Sequence, residues 1–160
     1  MKIILILVLL SQIVLGQELP KSNQLVLEYA KNNLGKKVGD GVCVTLTNRA
    51  LRNKDEIVAP KRVTKMYLDG KIGKKVKDGE HVIAGDIVRF VGVKYFDGDN
   101  CYSMKNHIGI VKEVKEGVLY FYEQNSLDNN QITFIHSRVV ESKIDERNVV
   151  CGNINFYRPK

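Results

Sequence analysis

The sequence predicts an α+β fold, in which N-terminal helices pack on an antiparallel β-sheet. Amphipathic helical patterns occupy the part of the chain before residue 54, and strand-like runs of β-branched and aromatic residues, bounded by turn residues, begin after Asp86. Helices that precede a block of strands are typical of an α+β domain rather than of an alternating α/β domain. The chain has 160 residues, which by length corresponds to one domain.

Residues 1–16 have the pattern of a cleavable signal peptide. Lys2 precedes an apolar run from Ile3 to Leu10, and Gly16 is a small residue at the expected cleavage position. The apolar run is too short for a membrane span, and we expect no membrane span elsewhere. We therefore expect a secreted, extracellular protein whose single domain covers residues 17–160.

The chain is basic, with a formal net charge of +7, or +6 once Lys2 is removed with the signal peptide. Lys and Arg gather over residues 31–37 and 61–77. Such a charge makes an anionic surface polymer a candidate partner, although a solvated lysine-rich surface is the simpler interpretation. The basic stretches lack interleaved aromatic residues, so we expect no nucleic acid as a partner. No pattern marks an oligomer interface, and we expect a monomer.

Two helices and five strands are predicted along the mature chain. Ser22 is a suitable N-cap for a first helix over about residues 23–34, and a glycine-rich turn leads to a second helix over about residues 42–53. The strands have the usual length and composition of half-buried segments. They are predicted at Ile87–Val91, His107–Val114, Val118–Gln124, Ile132–Val140 and Asn153–Tyr157.

The turn between Val114 and Val118 is predicted to set the register of the central hairpin. Three loop residues that end in Gly117 suit a type I turn closed by a left-handed residue. If Val114 faces Val118, the numbers of paired residues sum to 232 along the hairpin. This register depends on the turn type, because a slip of one residue would move every side chain to the other face.

In that register several polar side chains converge on one face of the sheet. His107 lies opposite Asn125, Glu123 is its diagonal neighbour, and Gly109 leaves space beside the imidazole. Gln124 is expected to face away. A histidine beside an acidic or amide side chain can act as a base whose ring orientation is fixed by its neighbour.

Three cysteines in an exported protein leave one sulfur without an intramolecular partner. Cys43 stands where the glycine-rich turn meets the second predicted helix, and a helix N-terminus favours the thiolate, which is the nucleophilic form. Its backbone N–H would also be an early helix donor suited to stabilise an oxyanion. Cys43 is therefore the candidate nucleophile and His107 the candidate base, with Glu123 or Asn125 as the residue that orients the ring.

Four segments resemble the sequence blocks of CHAP domains, the cysteine, histidine-dependent amidohydrolase/peptidase domains of the NlpC-like papain-fold superfamily. These segments are Gly39–Cys43, Ala84–Phe90, Asn106–Val111 and Glu123–Asn125, and the resemblance spans about residues 22–158. It implies a papain-like α+β fold and hydrolysis of amide bonds, often in peptidoglycan, without a metal or other cofactor.

The resemblance also implies a role for each matching residue. Cys43 matches the nucleophile, His107 the base, Glu123 the acidic third member and Asn125 the companion amide. The sequence thus predicts a secreted cysteine amidohydrolase or peptidase that cleaves a peptide or peptidoglycan substrate through a thioester. The alternative is a catalytically inert binding or effector module with the same fold.

The remaining cysteines, Cys101 and Cys151, are predicted to form a disulfide, which would stabilise the fold by roughly 4 kcal/mol in the chain-entropy model. Pairing of Cys43 with either of them stays open at the level of sequence, and it would remove the nucleophile. A zinc site built from Cys43, His107 and Glu123 has no recognised ligand spacing, and no metal is predicted.

Overall fold

A computed structural model describes residues 18–52, 73–127 and 134–160 of the chain. The predicted signal peptide lies outside these residues. The described helices are α1 (Lys21–Asn32), α2 (Cys43–Arg52) and a short 3-10 helix (Glu146–Asn148). The described strands are β1 (Gly73–Lys75), β2 (Ile87–Asp97), β3 (Asn100–Lys115), β4 (Val118–Glu123), β5 (Ser126–Leu127), β6 (Phe134–His136), β7 (Val140–Asp145) and β8 (Val149–Pro159).

Six of these strands form one antiparallel sheet in the order β1-β8-β2-β3-β4-β7, and β5 pairs with β6 in a separate ribbon. The predicted α+β class is confirmed. Among the described residues, no helix is long and apolar enough to cross a membrane.

Alternation of side chains along the strands gives the sheet an apolar cluster on each face. Both helices contribute to the first cluster together with β2, β3, β4 and β8, which places the helices on that face of the sheet. The second cluster is built from strand residues. Fully buried members of the first cluster include Val26, Ala30, Leu46, Ala50, Ile87 and Ile110, and those of the second include Val88, Phe90, Val111, Leu119 and Phe121.

The strands differ from the prediction at several places: β1 and most of β7 were not predicted, and β8 begins at Val149 instead of Asn153. β2 and β3 continue well beyond the predicted segments, and their pairing reaches Asp97 and Asn100 at the tip of a hairpin. The strand predicted over Ile132–Val140 is wrong as one element within the described residues, where β6 ends at His136 and β7 begins at Val140. At the break, Val139 forms an isolated parallel bridge with Leu34.

The predicted three-residue turn of the central hairpin is wrong, yet the register at its far end is as predicted. Lys115 pairs with Val118, so the turn has two residues, Glu116 and Gly117, with φ of 53° and 80°. Positive φ at both central positions is the mark of a type I′ turn, whose twist suits a hairpin. The pairing therefore starts one position away from the predicted register.

A β-bulge then corrects this offset. The register shifts between Val111 and Glu113, and beyond that point Val111 pairs with Phe121 and Ile110 with Tyr122. The extra residue on β3 restores the predicted pairing, since a bulge sets two residues of one strand against one of the other. Near the candidate site, the side chains consequently lie on the faces that the sequence predicted.

Gly109 serves a different purpose from the one predicted. A Cβ built on Gly109 would lie 2.8 Å from the backbone oxygen of Tyr122 and 2.9 Å from the ring of Phe121. The space beside it is thus already filled by β4. Glycine allows the two strands to approach closely here and does not open a cavity beside the imidazole.

Asp86 ties three elements together at the start of β2. Its carboxylate is fully buried and accepts hydrogen bonds from Asn23 of α1 at 2.8 Å and from Arg158 of β8 at 3.2 and 3.1 Å. Gly85 packs so tightly on α1 that an added Cβ would lie 2.2 Å from the backbone oxygen of Asn23. The Gly-Asp pair in the second sequence block therefore has a scaffold role.

The structure describes all three cysteines and links none of them by a disulfide. Cys101 of β3 faces Phe96, whereas Cys151 of β8 faces Lys94, so the two cysteines flank β2 from opposite sides. Two strand spacings separate their backbones by about 9.5 Å, which exceeds the limit of about 7 Å between the Cα atoms of a disulfide. The predicted Cys101–Cys151 bond is absent from this arrangement, and it would require β3 or β8 to move relative to β2.

Candidate active site

Cys43 is the first residue of α2 and is partly exposed. A residue in the first turn of a helix has a backbone N–H without a partner inside the helix, and the partial positive charge at that end favours an anion. The thiol and the N–H of Cys43 therefore share a position where negative charge is stabilised. This placement agrees with the helix start that the glycine-rich turn predicts.

The turn before Cys43 is fixed by side chains on both sides. The Asp40 carboxylate accepts from the backbone N–H of Val42 at 3.1 Å, and the pKa of Asp40 is lowered mainly by a hydrogen bond from Thr45, then by the one from Val42. Gln124 of the sheet is fully buried and donates to the carbonyl oxygens of Val38 and Val42 at 3.0 and 2.7 Å. The turn is thereby tied both to α2 and to the end of β4.

His107 and Glu123 meet on the face of the sheet where the register predicts them. Nε2 of His107 contacts Oε2 of Glu123 in a very short hydrogen bond. The histidine side chain is 11% exposed and the glutamate 2%, so water hardly screens their interaction. Since Glu123 occupies Nε2, the other ring nitrogen, Nδ1, is left for exchange with a thiol.

Ser142 of β7 is a further member of this cluster, and the sequence reasoning missed it. Its hydroxyl donates to Oε1 of Glu123, so the two carboxylate oxygens of the glutamate have separate partners. The ring of Phe90 stacks beside His107, with ring centroids 6.3 Å apart. Phe90 is fully buried and excludes water from one side of the pair.

The electrostatics of this cluster favour a protonated His107 ring. Burial by itself lowers the pKa of His107, but hydrogen bonds and charge from Cys43 and Glu123 outweigh burial and raise the pKa to about 9. The thiol of Cys43 is thus one of the two groups that favour the protonated ring. Burial, followed by the charge of Glu123, raises the pKa of the Tyr95 phenol to about 12.

The structure brings together three of the four predicted site residues, namely Cys43, His107 and Glu123. Asn125 follows the end of β4 in a left-handed conformation with φ of 63° and is partly exposed, whereas Glu123 makes the contact with the imidazole. A thiol beside a protonated imidazole can form a thiolate–imidazolium pair, which is the reactive form of a nucleophilic cysteine. In the part of the chain that the structure describes, no cluster of three His, Cys, Asp or Glu side chains is arranged to hold a metal ion.

Comparison with protein families gives one match, which covers nearly the whole chain. The model of the AIM3/BBC1 cysteine proteinase-fold domain matches residues 12–160. A search of curated protein sequences finds no match. The family description names a cysteine proteinase fold and does not name the CHAP domain specifically.

Solved structures show the same fold at low sequence identity. The wild-type endolysin LysIME-EF1 aligns with a TM-score of 0.55 and 19% identity, over 88% of this chain and 65% of its own. The crystal structure of Ly7917 aligns with a TM-score of 0.53 and 15% identity, over 86% of this chain and 62% of its own. Ly7917 with the hydrolysis product of MDP gives a TM-score of 0.52 and 16% identity, with the same coverage of both chains. This chain thus spans less than two-thirds of the length of these proteins.

Proposed function

The chain belongs to the AIM3/BBC1 cysteine proteinase-fold family, and we propose that it is a hydrolase that cleaves an amide bond with Cys43 as its nucleophile. In this proposal His107 withdraws the thiol proton and later delivers a proton to the leaving amine. Glu123 holds the ring and stabilises its protonated form, and the N–H of Cys43 contributes to an oxyanion hole.

One observation supports this proposal above the others: Cys43 and Glu123 act together on the imidazole of His107. The cysteine stands at a helix N-terminus, the glutamate contacts Nε2 of the ring, and the thiol and the glutamate both favour the protonated imidazole. A strongly raised pKa of a histidine, here to about 9, beside a thiol and a carboxylate is typical of a functional site.

The reaction follows from this geometry. The thiolate attacks the carbonyl carbon and the C–N bond breaks, so that a thioester forms on Cys43 and the amine leaves with a proton from His107. Water then loses a proton to His107 and attacks the thioester, which releases the carboxylic acid and regenerates the thiol. The two steps together consume one water molecule.

We propose peptidoglycan as the substrate class, with a CHAP-type domain as the finer fold assignment. The support is the name of one structural neighbour, an endolysin, together with the four sequence blocks in CHAP order. We also propose that the protein is exported, because residues 1–16 have the signal-peptide pattern. Export would bring the basic chain into contact with anionic wall polymers.

The proposal is tested by comparing wild-type protein with Cys43→Ala on purified peptidoglycan, with released amino groups and fragment masses as readouts. The matched control is Cys101→Ala, which removes an exposed thiol on β3. We expect hydrolysis by the wild type and the control, and none by Cys43→Ala. Equal activity in Cys43→Ala would refute the nucleophile. Binding without cleavage by the wild type, with its thiol intact, would support the inert binding module instead.

A further inference from the structure

Gln124 lies next to Glu123 in sequence, but its side chain points to the opposite face of the sheet. Glu123 contacts His107, whereas Gln124 reaches the turn that precedes Cys43. Consecutive residues of a strand point to opposite faces, so one dipeptide at the end of β4 contacts both the base and the turn that holds the nucleophile.

The amide of Gln124 uses its donor and acceptor groups on this turn. It accepts from the N–H of Val38 at 3.2 Å, donates to the carbonyl of Val38 at 3.0 Å, and donates to the carbonyl of Val42 at 2.7 Å. The side chain is fully buried. A buried amide with three hydrogen bonds to a loop replaces the pairing that a neighbouring strand would supply.

The bond to Val42 bears directly on Cys43, because the two residues share a peptide group. A trans peptide is planar, and its C=O and N–H point in opposite directions. The Val42 carbonyl accepts both from Gln124 and from the backbone N–H of Thr45 at 2.9 Å. With its carbonyl fixed by two donors, the peptide plane directs the N–H of Cys43 away from Gln124.

We propose that Gln124 is a positioning residue that aims the Cys43 N–H and holds the thiol beside His107. This inference rests on the proposed function, since it assigns Gln124 a role in the same cysteine chemistry. Gln124 itself contacts backbone groups of the turn and not the reacting atoms. At the end of β4, Glu123 thus holds the imidazole on one face of the sheet, and Gln124 holds the turn before the thiol on the other face.

The test measures how fast Cys43 reacts with iodoacetamide from about pH 4 to about pH 10, resolved by mass spectrometry of the Cys43 peptide. The variants are Gln124→Met, which keeps the length and removes the hydrogen bonds, and Gln124→Glu, which places a carboxylate against two carbonyls. Gln24→Met is the control, because Gln24 also donates to a backbone carbonyl, that of Leu19 at 2.6 Å, but on α1. His107→Ala serves as the reference for a lost pair.

In the wild type and in Gln24→Met, we expect the same pH profile of Cys43 alkylation, distinct from that of His107→Ala. In folded Gln124→Met, the profile should move toward that of His107→Ala, and hydrolysis should fall by about tenfold or more. An unchanged profile in folded Gln124→Met would overturn the inference. A shift in His107→Ala without a shift in Gln124→Met would do the same while leaving the proposed function intact.

A measurement on the wild type covers the case in which the Gln124 variants do not fold. The Val38 amide belongs to a loop, but it donates to buried Gln124, so it should exchange with solvent deuterium as slowly as amides of β4. Exchange of the Val38 amide at the rate of an exposed loop would contradict the positioning role. If the alkylation profiles shift as expected but no substrate is cleaved, the inference stands and the proposed hydrolysis fails.

Discussion

Replacement of Glu123 by glutamine tests the electrostatic core of the site. The variant keeps the shape of the side chain and removes its charge. The pKa of His107 lies at about 9 instead of 6.5, and one pKa unit corresponds to about 1.4 kcal/mol. The partners of the ring thus favour its protonated form by about 3 kcal/mol, net of the burial that opposes it.

Glu123 and Cys43 share this effect, so Glu123→Gln should lower the pKa of His107 by at least about one unit. In a Cys43→Ala background, burial is left without a charged partner for the ring, and the pKa should fall below its ordinary value. NMR titration of labelled histidine rings measures both values. Glu113→Gln is the matched control, because Glu113 is an exposed glutamate on β3. A pKa of His107 that moves by less than about 0.3 units in Glu123→Gln would refute the reasoning.

Three further predictions concern stability. Ser142→Ala removes a hydrogen bond to a charged carboxylate and should lower the free energy of unfolding by about 2 kcal/mol in urea titrations. Ser142→Thr keeps a hydroxyl and should retain most of this stability, so equal losses in the two variants would contradict the role of the hydroxyl. Because the pKa of His107 is raised to about 9 in the folded protein, protonation of this ring should stabilise the fold fully below about pH 6.5, and the stabilisation should be lost as the pH rises through about 9. The free energy of unfolding, measured against pH, should therefore fall over this range in the wild type, and an equal fall in His107→Ala would contradict the prediction. Gly85→Ala should lower the free energy of unfolding by at least about 2 kcal/mol more than Gly79→Ala does. Both glycines have φ near +80°, but of the two only Gly85 is in tight contact with a neighbour, Asn23. Similar melting temperatures of the two variants would exclude the clash.

Sequence reasoning located the candidate site because its residues lie near strong local signals. The glycine-rich turn predicts a helix that begins near Cys43, and α2 does begin there. The period of two along β3 and β4 predicts that His107 and Glu123 share a face, and the two side chains are in contact. Such signals depend on neighbours in the chain and on few long-range contacts.

The turn of the hairpin shows why local signals are incomplete. Two errors cancel here, since a turn shorter by one residue is followed by a bulge on β3 that restores the register. Whether a glycine-containing loop has two or three residues depends on the twist of the whole hairpin. The bulge is a feature of the pairing between β3 and β4, which the sequence of one strand does not determine.

The sequence does not predict the contact of Ser142 with Glu123, or the roles of Gln124 and Asp86, for a similar reason. Ser142 reaches Glu123 because β7 pairs with β4, and that register joins Ser142 to Phe121. Asp86 finds Arg158 across a separation of 72 residues. The hydrogen-bond partners of a buried polar residue follow from the topology, so they become visible only once the strand order is known.

The central claim is that Cys43 forms a thioester with the acyl part of its substrate. The most direct measurement is the mass of the Cys43 peptide after wild-type protein is mixed with peptidoglycan fragments and quenched in acid within the first turnover. The account predicts an added acyl mass on Cys43 that hydroxylamine removes and that Glu123→Gln accumulates more slowly. Release of cleaved fragments with an unmodified Cys43 peptide at every time point would contradict it.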